Sequence, residues 1–261
     1  MKHYGLFGEH LGHSLCLPIH HEIFQLLGID ADYRLIELPQ VDFEPLARRE
    51  MQALDGLNIT IPYKQKIMPL LHGLDDLAER VGAVNTVTLA DGIGYNTDVF
   101  GFQTMLRLHG IHPTGQPCWV LGTGGASRAI RVALEELGAE SVTLVSRNPV
   151  GEAVSYAELE QRFRGVLINC TPAGMFPHAD GCPLSPAALT TILPRATGVA
   201  DLIYNPPHTV LTQAAEAAGI PACTGLSMLV AQAVEAESLW QKLPLGEDLI
   251  LAVWKAMEER I

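Results

Sequence analysis

Trp119-Val120-Leu121-Gly122-Thr123-Gly124-Gly125-Ala126-Ser127-Arg128-Ala129 decides how the chain is read, because a short apolar run ends in glycines that open directly into a helical pattern. The run has the composition of a buried strand, and the residues after Gly125 that of a helix. Gly122 permits a tight turn, and Gly124 lets the backbone approach an anion with no Cβ in the way. A helix that starts there presents unbonded N–H groups and the positive end of its dipole, a cradle for a pyrophosphate. Ser127 stands where the usual fingerprint has its third glycine, so the strand before and the helix after carry the assignment. A glycine-rich turn that binds nothing is the other reading.

The next strand, Ser141–Val145, ends in Ser146-Arg147-Asn148. An NAD site ends this strand with a carboxylate that accepts from the ribose 2′-OH. None is present, and a guanidinium binds a 2′-phosphate that a carboxylate would repel, so NADP is expected over NAD. A solvated surface arginine is the alternative for Arg147. Outward from this unit, short apolar runs alternate with helical stretches along nearly the whole chain, the pattern of parallel βα units. Strands are expected at 4–8, 33–38, 57–61, 118–121, 141–145, 166–169 and 198–203. Helices are expected at 18–27, 43–51, 64–71, 75–81, 99–109, 125–137, 156–163, 209–218, 226–243 and 247–259. A hairpin is expected over 83–95, turning at Asp91-Gly92. The turn-rich stretch 110–117 reads as a boundary between halves.

The 261 residues are 48% apolar and 18% charged, enough to bury one or two cores and too apolar for a disordered chain. No apolar run approaches the roughly 20 residues that cross a bilayer, and the start reads without a signal-peptide pattern. A formal charge of −12 argues against a nucleic-acid partner. Cys16, Cys118, Cys170, Cys182 and Cys223 are odd in number and never spaced as CxxC, so no disulfide framework or metal site is expected, and a cytoplasmic location fits.

In the first half, alternation along 57–61 puts Leu57, Ile59 and Ile61 on one face and Asn58 and Thr60 on the other. Two polar side chains near the carboxyl end of a strand suggest a polar ligand. Lys64 falls at an expected helix start, where the dipole would disfavour its charged form and suit it to proton transfer. Taken alone it reads better as a solvated lysine, and Asp98 better as a helix N-cap. Tyr204 ends a strand, where it would cover the core, and Gln232 reads as a solvent-facing helix residue. His20 and His21 are adjacent, and neither is assigned a metal or a triad role.

Asn58-Ile59-Thr60-Ile61-Pro62-Tyr63-Lys64, Gly82-Ala83-Val84-Asn85-Thr86, Asn96-Thr97-Asp98, the glycine loop, Asn169-Cys170-Thr171-Pro172-Ala173-Gly174-Met175, Tyr204-Asn205-Pro206 and Gly225-Leu226-Ser227-Met228-Leu229-Val230-Ala231-Gln232 together resemble the shikimate dehydrogenase family. The resemblance is in order and spans nearly the whole chain. It implies an α/β protein with an N-terminal α/β substrate domain over 1–101, to which helices over 236–261 return. A Rossmann-like NADP-binding domain would span 102–235, with a cleft between the two. It implies reversible oxidation of shikimate to 3-dehydroshikimate, with quinate as an alternative or additional substrate and a non-catalytic metabolite sensor as a rival. By this resemblance Lys64 and Asp98 are catalytic, and Ser14, Cys16, Asn58, Thr60, Asn85, Tyr204 and Gln232 bind substrate. Gly122, Thr123, Gly124, Gly125, Ala126, Ser127, Ser146, Arg147, Asn148, Thr171, Leu202 and Gly225 bind the cofactor. The chain is expected to work as a monomer or homodimer. Two departures stand out: Cys16 occupies the place of the family's second serine, and Ser146-Arg147-Asn148 that of the commoner Asn-Arg-Thr. A thiol is the weaker donor to a substrate carboxylate.

Overall fold

The structure is a computed structural model that describes residues 1–12 and 14–260. The chain divides into two compact units, Met1–Asp98 with Leu229–Arg260, and Val99–Met228.

The first unit opens with β1 (Lys2–Gly8), α1 (Cys16–Leu27), β2 (Ala31–Glu37), α2 (Phe43–Met51) and β3 (Gly56–Ile59). It continues through β4 (Gly73–Leu74), α3 (Asp76–Val81), β5 (Thr86–Thr88) and β6 (Ile93–Tyr95), and α4 (Asp98–Leu108) begins at its end. The strands form one sheet in the order β2-β1-β3-β5-β6-β4. β1 pairs in parallel with β2 and β3, while β5 runs antiparallel to β3 and β6. Tyr4, Leu6 and Phe7 of β1 are all buried, as in a strand covered on both faces. Gly28 closes α1 in the left-handed region at φ 66°, which glycine adopts at least cost.

The second unit contains β7 (Pro117–Leu121), α5 (Gly125–Glu136), β8 (Ser141–Val145), α6 (Tyr156–Arg162) and β9 (Gly165–Asn169). It goes on through α7 (Pro186–Ile192), β10 (Ala196–Asp201), α8 (Val210–Ala217) and β11 (Ala222–Cys223). Its five strands lie in the order β11-β10-β9-β7-β8, all pairs parallel. The order reverses beside β7, so the loops after β7 and β9 open at a switch point, where open parallel sheets bind ligands. The stretch 110–117 lies within this unit, with Ile111 buried. Helix α9 (Leu226–Gln241) begins in the second unit and continues into the first, where α10 (Glu247–Glu258) ends the chain.

The βα alternation expected from sequence is present; the short strands β4 and β11 are additional to it, and four further differences bear on the reading. No α-helix spans 64–71: Ile67 N donates to Tyr63 O across one helical turn, and then a 3₁₀ turn forms at Met68–Leu70. Pro69 has no N–H to continue the ladder. Lys64 therefore has no helix start beneath it, and the dipole expected to act on its charge is absent. The strand at 57–61 stops at Ile59, and Ile61, expected on the buried face, is 71% exposed. Helix α7 lies outside the expected set, although Ser185 caps it by accepting from Ala188 N and Pro186 fills its first position. The strand placed at 198–203 is two residues earlier, at Ala196–Asp201.

Candidate active site

In the first unit the turn after β3 carries Lys64. Tyr63 and Ile67 on either side are fully buried, and the Tyr63 ring stacks on Phe43 with centroids 4.1 Å apart. Lys64 O accepts from Val84 N at 2.8 Å, tying the turn to the segment that holds Asn85. Thus fixed, Lys64 Nζ donates to Asp98 Oδ2 at 2.6 Å, across 34 residues of sequence, and both side chains are under one fifth exposed. Asp98 is the first residue of α4, and Asn85 Nδ2 donates to its second carboxylate oxygen at 2.9 Å. The carboxylate is thus held by a cation and an amide rather than committed to the helix end. Asn85 Nδ2 also bonds Thr97 Oγ1, and Asn85 Oδ1 accepts from Thr97 N at 2.8 Å. Gln232 is buried, not solvent-facing: its Oε1 lies 3.4 Å from Asn85 Nδ2 and its Nε2 donates to Leu229 O.

Asn58 is buried on β3 and accepts from Tyr33 Oη at 2.7 Å. Its Nδ2 donates to Asn85 O at 3.2 Å and Thr86 Oγ1 at 3.0 Å. Thr60 follows the end of β3, its N–H bonded to Phe7 O. Cys16 opens α1 and donates its backbone N–H to Ser14 Oγ at 3.2 Å. Burial pushes the Cys16 thiol above its ordinary range; Ser14 and the Lys64 charge oppose the shift and Asp98 adds to it. The thiol is therefore neutral and within electrostatic reach of both charged groups. So the first unit brings together Lys64, Asp98, Asn85, Asn58, Gln232 and Cys16, whereas Tyr204 belongs to the second unit.

In the second unit Gly122 adopts φ 103°, a conformation natural to glycine, and a Cβ there would meet Cys170 O and Thr171 Cγ2 at 3.2–3.3 Å. A Cβ on Gly124 or Gly125 would meet nothing within 4 Å. Gly124 is the N-cap of α5, and Ser127 ties the first turn back by donating Oγ to Gly124 O at 2.6 Å. Open backbone at a helix start fits a pyrophosphate. A cavity of about 270 Å³ is lined by Gly122, Thr123, Gly124, Ser146, Arg147 and Asn148. A larger one of about 690 Å³ shares Ser146, Arg147, Tyr156 and Thr171 with it and adds His178 and Cys182. Arg147 is exposed, and no ion pair occupies it among the described residues. An unpaired guanidinium on the wall beside a glycine loop fits a phosphorylated ribose.

Leu202 and Gly225 meet differently from Gly124: Gly225 N donates to Ile203 O, and a Cβ on Gly225 would collide with Leu202 O. Here the glycine lets two backbones touch. Behind these loops stands Asp201, fully buried and without a cation among the described residues. Its carboxylate accepts from Asn169 Nδ2, Thr209 Oγ1 and Ile203 N at 2.9–3.1 Å. Burial raises it to about 6 against these bonds. Asn169 Oδ1 in turn accepts from Thr171 N and Thr171 Oγ1, fixing the loop that carries Thr171. Sequence reasoning gives Asp201 and Asn169 no role; a carboxylate at the end of an apolar strand, Val199-Ala200-Asp201, is the signal that could have found the pair.

A glycine loop at the switch point of a parallel sheet, with a lysine–aspartate pair on a second α/β unit, defines a two-unit α/β oxidoreductase of the dinucleotide-linked class. The family described as shikimate dehydrogenase substrate binding domain matches residues 6–87. A shikimate dehydrogenase (NADP(+)) of Clostridium beijerinckii is 35% identical over 99% of this chain and 98% of its own. Two solved structures share the fold at full length. The chorismate mutase/shikimate 5-dehydrogenase fusion protein of Clostridium acetobutylicum is 35% identical with a TM-score of 0.93, covering 100% of this chain and 98% of that one. Shikimate 5-dehydrogenase of Thermus thermophilus, in complex with NADP(H) and shikimate, is 30% identical with a TM-score of 0.86, covering 98% and 99%. The chain belongs to the shikimate dehydrogenase family. Among the described residues no helix is long and apolar enough to cross a membrane.

Proposed function

We propose that this protein interconverts shikimate and 3-dehydroshikimate with NADP. The observation that carries the reading is the 2.6 Å pair of Lys64 and Asp98, with Asn85 on the second carboxylate oxygen, in a chain of this family. When bound, NADP supplies the hydride acceptor for the ring C3–H. In the reduction the Lys64 ammonium stabilises the alkoxide that develops on the C3 oxygen and gives its proton to it; in the oxidation the neutral amine takes that proton back from the C3 hydroxyl. Asp98 accepts from the hydroxyl and fixes the ring's orientation. Ser14, Cys16 and Thr60 hold the carboxylate end, Asn58 and Gln232 the remaining hydroxyls, and Tyr204 also binds the substrate. Gly122 to Ser127 bind the pyrophosphate, and Ser146, Arg147 and Asn148 the 2′-phosphate. Thr171, Leu202 and Gly225 complete the nucleotide site. The enzyme works in the cytoplasm as a monomer or homodimer on a small molecule, with no nucleic acid.

Initial rates at 340 nm with shikimate and quinate, each with NADP and NAD, test this. Shikimate with NADP should turn over fastest. Faster turnover of quinate, or no absorbance change with any pair, would overturn it.

A further inference from the structure

Behind the substrate residues of the first unit lies a buried histidine–carboxylate pair that the reaction does not use. His20 of α1 and Glu237 of α9, 217 residues apart, are both fully buried, and His20 Nδ1 lies 2.7 Å from Glu237 Oε1. Gln241 Nε2 donates to Glu237 Oε2 at 2.9 Å and lies 3.0 Å from Tyr4 Oη. Both carboxylate oxygens are engaged, so the glutamate cannot swing away without stranding a partner. His20 Nε2, in contrast, is buried with no hydrogen-bond partner among the described residues. Hydrogen bonding therefore holds the ring through Nδ1, and stacking on its neighbour does the rest. An ionisable pair in an apolar interior is costly, and removing one member strands the other. What such a pair can give in return is a fixed geometry.

The geometry it fixes is visible next to it. The His20 ring stacks on Tyr33 with centroids 4.1 Å apart and planes 10° from parallel. Tyr33 is buried, and burial holds its phenol well above the ordinary range, so the hydroxyl stays protonated. It donates to Asn58 Oδ1 at 2.7 Å. Both hydrogens of Asn58 Nδ2 are engaged, on Asn85 O and Thr86 Oγ1. An amide oxygen has two lone pairs and an amide nitrogen two hydrogens, so one acceptor position on Oδ1 is all that Asn58 has left. A rotated amide would turn its oxygen toward the Asn85 carbonyl, so that carbonyl fixes the orientation, and the phenol, donating to Oδ1, takes one of the two acceptor positions it leaves. Asn58 can then bind a ligand only by accepting from it.

We infer that Glu237, His20 and Tyr33 form a buried relay of positioning residues that presents Asn58 as a single acceptor to a hydroxyl of the substrate. The inference rests on the proposed reading that this cluster binds shikimate. Glu237 sets the plane of His20, the stacked ring sets Tyr33, and Tyr33 fills one of the two acceptor positions of the Asn58 oxygen. The ligand chemistry follows: a hydroxyl that donates, not a carboxylate.

Tyr33→Phe removes the phenolic hydroxyl and keeps the stacked ring. Steady-state kinetics of this variant should show KM for shikimate raised about tenfold with kcat within about twofold, since one hydrogen bond to the ligand-binding amide is lost and the Lys64–Asp98 pair is untouched. Melting temperature should stay within a few degrees. Glu237→Ala should raise KM in the same sense, and Glu237→Gln, which keeps an acceptor for His20, should restore part of it. The decisive arm uses shikimate analogues lacking the C4 or the C5 hydroxyl. With the analogue that lacks the hydroxyl Asn58 accepts, wild-type protein and Tyr33→Phe should have equal KM. An unchanged KM for shikimate in Tyr33→Phe would overturn the relay, as would equal losses with both analogues, or a fall in kcat and melting temperature with no KM change. Wild-type protein that turns over no shikimate would overturn the functional reading and the relay's role in it together. That outcome is separated from the others by the wild-type arm.

Discussion

Two carboxylates distinguish the halves of this molecule. Asp98, in the first unit, has the Lys64 ammonium 2.6 Å away and the Asn85 amide on its other oxygen. Asp201, in the second, is buried with no cation on it among the described residues and is held by Asn169, Thr209 and the Ile203 N–H. The first arrangement keeps opposite charges in direct contact. The second uses a charge to brace backbone loops. A site that moves a proton needs its side chains set before the ligand arrives, whereas one that receives phosphates needs bare backbone. Accordingly the first unit bonds its polar atoms to one another, while a Cβ on Gly124 or Gly125 would touch nothing within 4 Å.

The contrast between the halves breaks most directly at Lys64. Lys64→Ala should lower kcat about a thousandfold, within the usual range for a positioned acid or base, with KM for shikimate changed only a few-fold. Steady-state kinetics check it, and a proportional loss in KM with kcat intact would reduce Lys64 to a binding residue.

Asp201 tests the other half. Its folded value, about 6, lies above the 3.8 of an ordinary aspartate. A group raised in this way contributes most to stability while protonated, below about pH 4, and that contribution is lost as pH rises toward 6. At neutral pH burying the ionised form costs about 3 kcal/mol, at ~1.4 kcal/mol per pKa unit. Asp201→Asn keeps the shape and can still accept from Asn169 and Ile203. It should therefore melt higher than wild type at pH 7, with the gap closing below about pH 4. A variant that melts lower at both values would make the carboxylate a net stabiliser.

Glycines separate touching backbones from open ones. Gly225→Ala forces a Cβ against Leu202 O, so the backbone must shift, and melting should show a loss of about 2 kcal/mol. Gly124→Ala should leave melting unchanged and raise KM for NADP. Equal effects in both measurements would erase the distinction.

The two halves are unequally legible in the sequence for the same physical reason. A backbone cradle is written locally: strand, glycines and helix follow one another over 119–129, so its place can be read without the rest of the chain. The side-chain cluster is written across 34 residues for Lys64 and Asp98 and 217 for His20 and Glu237, and no local period encodes such meetings. Only the resemblance to a family singles out Lys64 and Asp98 together. The misplaced helix at 64–71 shows the limit of periodicity, since Tyr63 and Ile67 have helical spacing but Pro69 withholds the next donor. Helix α7 escapes for the opposite reason: Ser185-Pro186 announces a helix start, yet only seven residues follow before Leu193-Pro194-Arg195 tightens into a 3₁₀ turn.

The smallest expected effect lies at Arg147, where the second unit's openness is felt most weakly. Its guanidinium is exposed and carries no ion pair among the described residues, so a 2′-phosphate would gain a forked pair without displacing an internal partner. The same exposure limits the gain, because water and salt screen a surface pair. Arg147→Ala should raise KM for NADP about tenfold and leave KM for NAD unchanged, since the two cofactors differ only in that phosphate. Raising ionic strength to about 0.5 M should weaken NADP binding to wild type and have less effect on the variant, the screening length having fallen well below 10 Å. If KM for both cofactors rose together, Arg147 would be acting on what they share, the adenine or the ribose, and the choice between NADP and NAD would have to rest on Ser146 and Asn148.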